Sequence, residues 1–301
     1  MDIIRTNTLT KYFGTTPASD HISIRVKEGE IYGFLGLNGA GKTTLIRMLL
    51  GMIKPDQGTI HLFDKLLTPH FDRWNDIGYM VETPSSYPNL SVLENLKVYY
   101  KLRQLTNPAL IDDIIGKLKL NHYKDKKANV LSLGNQQRLG LAKALMHKPK
   151  LLILDEPING LDPEGIVEVR ELLLNLAHNG STIFLSSHIL GEISKLADRI
   201  GIIHEGNLVK ELTSRELGDQ LAKKLLVKTT DNTKALQELS DAGYKAELND
   251  HGEIEITNGE AHSKPELLSK LLTEKNLPPS QVYLFTEDLE MYFLRTIRPK
   301  A

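Results

Sequence analysis

Two short stretches of the sequence combine residue types that bind phosphate and a metal ion. The first, Gly36-Leu-Asn-Gly-Ala-Gly-Lys-Thr43, fits the pattern G-x-x-x-x-G-K-T/S. Glycines in such a loop let backbone N–H groups turn towards phosphates, and a helix that begins at the lysine adds a favourable dipole. We therefore expect nucleotide phosphates to be surrounded by Gly36, Asn38, Gly39, Ala40 and Gly41.

Three side chains at the end of this loop have distinct expected roles. Lys42 is expected to reach the β- and γ-phosphates, the Thr43 hydroxyl to ligand Mg²⁺, and Thr44 to donate to the α-phosphate. The alternative is an accidental glycine turn before a helix. A buried strand before the loop and a helix after it favour phosphate binding.

The second stretch, Leu151-Leu-Ile-Leu-Asp-Glu156, places two carboxylates after four apolar residues. Such a run predicts a central strand, and α/β sheets bind ligands at the carboxyl ends of their strands. We expect Asp155 to hold Mg²⁺ through water and Glu156 to orient or deprotonate an attacking water. Two acids in a solvated loop are the alternative. Together the two stretches predict a P-loop NTPase.

The elements that would position these residues follow from periodicity. Strands are predicted at 22–26, 30–35, 77–81, 151–155 and 182–186, and a strand from Arg199 with a Gly206-Asn207 turn into a second strand. Helices are predicted at 43–50, 92–102, 109–119, 136–146 and 165–177. Strand, helix, strand implies parallel pairing. The predicted fold is an α/β mixed-sheet core with a helical subdomain inserted at about 90–148.

The pattern of predicted strands and helices changes near residue 220. Beyond it we predict strands at 224–230, 244–249, 253–257 and 281–286, with helices at 232–241, 264–275 and 287–297. The order βαββαβ, followed by one more helix, is that of a ferredoxin-like unit. The prediction is a nucleotide-binding domain over 1–218 and a small α+β accessory domain over 219–301.

Composition excludes several classes of protein. The 301 residues include no cysteine, so no disulfide framework or thiolate site exists. The chain has 37 Lys and Arg residues and 38 Asp and Glu residues, so its net charge is close to zero. It therefore lacks the excess of positive charge with which proteins bind a polyanion over a broad surface. No run approaches the roughly 18 apolar residues of a membrane span, and Met1-Asp-Ile-Ile-Arg5 lacks a signal-peptide layout. We expect a cytosolic chain.

A third motif, Leu131-Ser-Leu-Gly-Asn-Gln-Gln-Arg138, precedes the Asp155 strand. With the phosphate loop and the two acids in this order, residues 1 to about 218 resemble the ATP-binding cassette (ABC) family, whose signature usually reads LSGGQ. The resemblance implies ATP and Mg²⁺ as cofactors and a dimer that encloses two ATP molecules. It implies that Ser132 and Gly134 bind the γ-phosphate of ATP held by a second copy.

The resemblance assigns three further positions. Asp162, in Pro157-Ile-Asn-Gly-Leu-Asp162, would lie at the dimer seam. His188 matches a switch histidine that contacts the γ-phosphate, although a lone histidine after a strand is more often structural. Phe13 best matches an aromatic residue that stacks on adenine, the alternative being a core aromatic.

The chain departs from the family pattern at Leu133, Asn135, Ile158 and Glu82. Glu82 stands where the family usually has glutamine. It would ligand Mg²⁺, be repelled by the γ-phosphate, or point to solvent. The run Glu-x-Pro-x-x-Tyr-x-Asn-Leu that begins there is similar to bacitracin-resistance and lantibiotic-immunity exporters, in which this segment also meets a membrane subunit.

The expected function is therefore the ATPase subunit of a bacterial exporter, for peptide antibiotics, with a second identical subunit and an integral membrane permease. It would lie at the inner face of the membrane without binding nucleic acid. The alternative is a soluble ABC-type ATPase acting on nucleic acid or ribosomes, which usually carries tandem cassettes or inserted coiled coils. The C-terminal domain would stabilise the dimer, contact a partner or sense a ligand.

Overall fold

The chain divides into two compact units, Met1–Glu216 and Leu217–Ala301. The computed structural model describes residues 1–82, 85–257 and 259–298. Within these ranges, no helix has both the length and the apolar character required to cross a membrane.

The first unit alternates strands and helices. Its elements are β1 (Asp2–Phe13), β2 (Thr16–Ile22), β3 (Arg25–Lys27), β4 (Ile31–Leu35), α1 (Lys42–Leu49), β5 (Gln57–Leu62), β6 (Lys65–Leu66), β7 (Ile77–Met80), α2 (Val92–Leu102), α3 (Ala109–Lys117), α4 (Leu133–Leu145), β8 (Leu151–Leu154), α5 (Pro163–His178), β9 (Thr182–Ser187), α6 (Leu190–Ile193), β10 (Arg199–His204) and β11 (Asn207–Thr213). Helix α7 (Ser214–Gln220) crosses the boundary to the second unit.

A six-stranded sheet with the order β11-β10-β4-β9-β8-β7 carries the two chemistry-bearing stretches. Its strands from β10 to β7 are parallel, and β11 pairs antiparallel with β10. Every residue of β4, β8 and β9 is buried, as expected of strands covered on both faces. Since the parallel strands end at one edge, the segments that follow β4, β7, β8 and β9 come together there.

A second, antiparallel sheet has the order β2-β1-β5-β6, with β3 also paired to β1. The core combines side chains of both sheets with α1, among them Leu9, Phe34, Leu45 and Phe184. The mixed α/β core predicted from the sequence is confirmed.

The single strand predicted over 22–26 is wrong, because the structure divides it into β2 and β3. His21 has a left-handed φ of 52°. The buried Thr6 hydroxyl donates to the Ile22 carbonyl and accepts from the Ile24 N–H, at 3.0 Å each. Between β2 and β3, this side chain therefore takes the place of backbone hydrogen bonds between strands.

The turn between β10 and β11 lies at Glu205–Gly206, one residue before its predicted place. His204 pairs with Asn207, and the two residues between them have φ values of 47° and 79°. Two successive positive φ angles are typical of the two-residue turns that match strand twist.

Helices α2, α3 and α4 occupy the chain between β7 and β8, and α2 contacts both of the others. Ser91 and Glu94 form a reciprocal capping box at the start of α2. Helix α4 begins at Leu133, three residues before its predicted start, because Ser132 caps it. The signature motif therefore lies at a helix N-terminus.

The second unit contains β12 (Lys223–Thr229), α8 (Asn232–Asp241), β13 (Ala246–Leu248), β14 (Ile254–Ile256), α9 (Gly259–Ser263), α10 (Pro265–Glu274), β15 (Pro279–Thr286) and α11 (Leu289–Ile297). Its sheet has the order β13-β14-β12-β15, with all neighbours antiparallel. The short helix α9 is absent from the sequence prediction. A ferredoxin-like arrangement stays an expectation for this unit, with which the strand order agrees.

Glu287 makes the second unit sensitive to acid. Its side chain is 6% exposed, and its two oxygens accept from Arg295 at 2.8 and 2.7 Å and from the Ala222 N–H at 2.9 Å. The hydrogen bonds from Arg295 hold the pKa of the Glu287 carboxyl below its ordinary value. This stabilisation is complete above about pH 4.5 and is lost as the pH falls through the lowered pKa.

Glu287→Gln should therefore lower the stability of the second unit by about 1–2 kcal/mol at pH 7, and this difference should shrink below pH 4.5. Amide hydrogen exchange of β12 and β15, corrected for intrinsic rates at each pH, measures it. Glu290→Gln, the same change at an exposed position of α11, is the matched control. If the Glu287 variant were less stable than the wild type by the same amount at every pH, the role of the carboxylate would be contradicted.

Candidate functional site

The predicted phosphate loop connects β4 to α1 and is shaped by close backbone packing. A Cβ on Gly41 would lie 2.0 Å from the carbonyl oxygen of Ala18, and one on Gly36 would lie 2.7 Å from that of Ile203. Gly41 also has a φ of 108°. Only glycine fits both positions, which explains the pattern in physical terms. The first stretch's predicted phosphate-binding and metal-binding residues lie in this loop or in the first turn of α1: Gly36, Asn38, Gly39, Ala40, Gly41, Lys42, Thr43 and Thr44.

The Lys42 side chain is buried inside this loop, with 6% of it exposed. Its Nζ donates to the carbonyls of Gly36 at 2.8 Å and Leu37 at 3.2 Å, and lies 3.3 Å from Oε1 of Glu156. A cation held by the carbonyls of a glycine-rich loop at the start of a helix is suited to an anionic phosphate chain.

Asp155 and Thr43 meet at the end of β8. The Asp155 carboxylate is nearly fully buried and accepts from Thr43 Oγ1 at 2.7 Å and from Ser186 Oγ at 2.5 Å. Ser186, which the sequence reasoning missed, also accepts from the Glu156 N–H at 3.1 Å. Its only sequence signal is its place two residues before His188.

Glu156 is fixed through its backbone. Its φ of 49° is left-handed, its N–H donates to Ser186, and its carbonyl accepts from Gln137 Nε2 at 2.8 Å. The carboxylate lies between two partners, Lys42 and Nδ1 of His188 at 2.9 Å. The structure thus brings together the three residues predicted to be catalytic. Gln137, a buried amide on α4, is a further residue that sequence reasoning missed.

These oxygen groups fit Mg²⁺ bound with a nucleotide. Mg²⁺ prefers hydroxyl, carboxylate, phosphate and water oxygens, and it is usually bound by one or two protein groups together with substrate phosphates. Thr43 and Asp155 provide such a pair beside the phosphate loop. Among the residues described, no group of three or more acidic or histidine side chains is arranged so that it could hold a metal ion by itself, so phosphates and waters would complete the coordination.

Glu82 follows β7 with a left-handed φ of 56°. It borders a cavity of about 250 Å³ that is also lined by Thr43, Asp155 and Glu156. Its carboxylate is 56% exposed and pairs with Arg47 Nη2 at 2.5 Å. Arg47 was not foreseen from the sequence. Pro84, part of the run that suggested antibiotic exporters, lies outside the described residues.

Glu82→Gln should change the Mg²⁺ dependence of ATP turnover more than it changes ATP binding at saturating Mg²⁺, because an amide is a weaker ligand for a hard cation. The half-saturating Mg²⁺ concentration should rise about threefold or more. Steady-state ATPase assays across a Mg²⁺ titration test this, with Asp72→Asn as a control that also breaks an exposed ion pair. Unchanged kinetics across the titration would reject a role near the metal.

Ser132 and Gly134 lie at the N-terminus of α4, where Ser132 Oγ accepts from the backbone and side-chain nitrogens of Asn135. They line a different cavity, of about 530 Å³, together with Gly160 and Asp162. Of the two residues, neither borders the cavity of Thr43 and Asp155. One chain therefore presents two separate sets of predicted phosphate-binding groups.

The unusual Leu133 packs over Gly160. A Cβ on Gly160 would lie 2.5 Å from Leu133 Cδ2, and Gly160 has a φ of 74°. Leu133 also borders both cavities, so this leucine forms part of the wall between them.

Phe13 ends β1 and is 54% exposed, which argues against the core alternative. Lys11 Nζ lies 5.9 Å from the centre of its ring. The following strand, β2, carries Ala18, whose carbonyl approaches Gly41. Stacking of Phe13 on adenine stays a prediction.

Comparisons with known proteins agree with this geometry. Residues 19–159 match the ABC transporter family. The bacitracin transport ATP-binding protein BcrA of Bacillus licheniformis is 42% identical over 299 residues, covering 98% of this chain and 97% of that protein. The lantibiotic transport ATP-binding protein SrtF of Streptococcus pyogenes is 37% identical over 209 residues, covering 69% of this chain and 90% of that protein. A solved ATP binding subunit of an ABC transporter is 26% identical with a TM-score of 0.66, covering 72% of this chain and 92% of that one.

The resemblance inferred from the motifs is thereby confirmed, and the similarity to BcrA extends through both units of the structure. The chain belongs to the ABC transporter family, as an ATP-binding and ATP-hydrolysing subunit that uses Mg²⁺.

Proposed function

We propose that the chain powers a bacterial exporter of peptide antibiotics, as two copies bound to an integral membrane permease. The observation that carries this proposal is the 42% identity to a bacitracin transport protein along 98% of the chain. The similarity to a lantibiotic transport protein supports the same class of substrate. No observation favours action on nucleic acid or ribosomes.

Hydrolysis would use the groups gathered at the ends of β4, β8 and β9. Glu156 would take the proton of a water aligned with the γ-phosphate, while Lys42 and His188 stabilise the charge that develops on the phosphate oxygens. The short distances between these three side chains support the roles. Bound Mg²⁺ would neutralise phosphate charge, with Thr43 and Asp155 holding it.

Two copies are proposed because Ser132 and Gly134 border a separate cavity from Lys42 and Glu156. A serine hydroxyl at a helix N-terminus suits a phosphate, but within one chain this serine does not border the cavity of the phosphate loop's Thr43. A second copy facing the first would bring each signature to the other's phosphate loop. ATP would then favour the closed dimer, and hydrolysis would remove that preference.

A groove of about 520 Å³ supports contact with a permease near residues 82–100. Exposed apolar side chains border it, including Met52, Tyr79, Tyr87 and Leu102. Exposed apolar residues grouped in this way are typical of protein interaction sites. Binding there would place the chain at the inner face of the membrane.

Genetic complementation tests the proposal. Deletion of the gene in the source bacterium should increase sensitivity to bacitracin-like or lantibiotic peptides, and the wild-type chain should restore resistance. Glu156→Gln should fail to restore it while still co-purifying with an integral membrane protein. Unchanged sensitivity to all such peptides would refute the substrate class, and salt-sensitive binding to DNA or ribosomes would favour the alternative function.

A further inference from the structure

Helix α1 presents two polar side chains to the segment after β7. Thr43 and Arg47 are four residues apart, so they lie on one face of the helix, one turn from each other. Thr43 bonds to Asp155, whereas Arg47 pairs with Glu82. One helix face thus joins the metal-binding pair to the unusual glutamate.

Glu82 borders two cavities at once. One is the cavity of about 250 Å³ shared with Thr43 and Asp155, and the other is the groove of about 520 Å³. Arg47 lines the groove and is not among the residues lining the smaller cavity. The ion pair therefore holds the carboxylate on the groove side.

Lys143, the other cation that lines the groove, forms hydrogen bonds with residues other than Glu82. Lys143, on α4, donates to the Ser85 carbonyl and to Ser86 Oγ at 2.8 Å each, and burial lowers the pKa of this lysine to about 8. Among the described residues, Arg47 alone forms an ion pair with Glu82. The position of the carboxylate consequently depends on one guanidinium.

We propose that Arg47 is a positioning residue that draws the Glu82 carboxylate away from the Thr43–Asp155 pair and so raises the Mg²⁺ concentration needed for nucleotide binding. This inference rests on the proposed function, in which Thr43 and Asp155 hold Mg²⁺, and Glu82 borders the same cavity as that pair. A carboxylate that pairs with a guanidinium is less available to a hard cation. Exposed ion pairs are weak, so the expected effect is about threefold to fivefold.

The test measures binding of a fluorescent, non-hydrolysable ATP analogue to the full chain across a Mg²⁺ titration. Arg47→Met should lower the half-saturating Mg²⁺ concentration about threefold to fivefold, and Arg47→Lys should stay near the wild type. Lys65→Met, which breaks the exposed pair with Asp72 at 2.8 Å, should change nothing. Arg47→Gln provides the same test if the methionine variant does not fold.

A double variant separates positioning from direct action. With Glu82→Gln already present, Arg47→Met should no longer shift the Mg²⁺ dependence. An equal shift in both backgrounds would overturn the inference, because Arg47 would then act on the nucleotide itself. No shift in either background would overturn it as well. A wild-type chain that binds no analogue at any Mg²⁺ concentration would instead refute the proposed ATP site.

Discussion

Replacing Glu156 by glutamine is expected to leave ATP bound and to slow its hydrolysis about 10²–10⁴-fold, the usual contribution of a general base. Glutamine keeps the length and shape of the side chain, and its carbonyl oxygen can still face Lys42. Its amide cannot accept the proton of the attacking water. Because hydrolysis would no longer open the dimer, ATP should hold two copies together.

Two measurements on this variant test the proposed role. Phosphate release should fall, and size-exclusion chromatography with ATP should show a dimer that the wild type populates only briefly. Glu171→Gln, the same chemical change on an exposed position of α5, should behave as the wild type. Rapid hydrolysis by the Glu156 variant would overturn the assignment.

Replacing Lys42 by alanine is expected to lower ATP turnover about 10²–10³-fold, the usual cost of removing one side chain that stabilises negative charge in a transition state. It is also expected to weaken nucleotide binding. The ammonium group is buried, donates to two loop carbonyls and approaches Glu156. Alanine removes the positive charge from the centre of the loop. The carbonyls and the carboxylate would then face the phosphates without it.

The loss of binding can be measured as the loss of the ATP-induced rise in unfolding temperature. Lys150→Ala removes an exposed lysine next to the start of β8 and is the matched control. If the alanine variant does not fold, Lys42→Met keeps much of the buried stem and removes only the charge. Full protection of either variant by ATP would contradict the role of Lys42.

The phosphate loop was predictable because its requirements are local. Glycine is needed where φ is left-handed or where a Cβ would strike a neighbouring carbonyl, and Gly41 meets both conditions. The run of four apolar residues before Asp155 likewise indicated a strand buried on both faces. The helix at the signature was placed too late, because its cap at Ser132 precedes the apolar periodicity.

Residues that act through partners distant in the chain were not predictable. Ser186 forms a hydrogen bond with Asp155, which lies 31 positions earlier in the chain, and Arg47 pairs with Glu82, which lies 35 positions later. Neither residue type nor spacing marks such a pair in advance. The first pair depends on β8 and β9 becoming neighbours in the sheet, and the second depends on α1 lying beside the end of β7.

The sequence by itself determined which chemical groups are present, the order of their motifs and the conformation of the predicted phosphate loop, since backbone conformation and burial act over a few residues. Only the tertiary structure decided how those groups are combined. The order β4-β9-β8-β7 places Lys42 and His188 each within ion-pair or hydrogen-bonding distance of Glu156, and it leaves Ser132 at a separate cavity. The physical reason is that parallel strands bring their carboxyl ends to one edge whatever their separation in the chain.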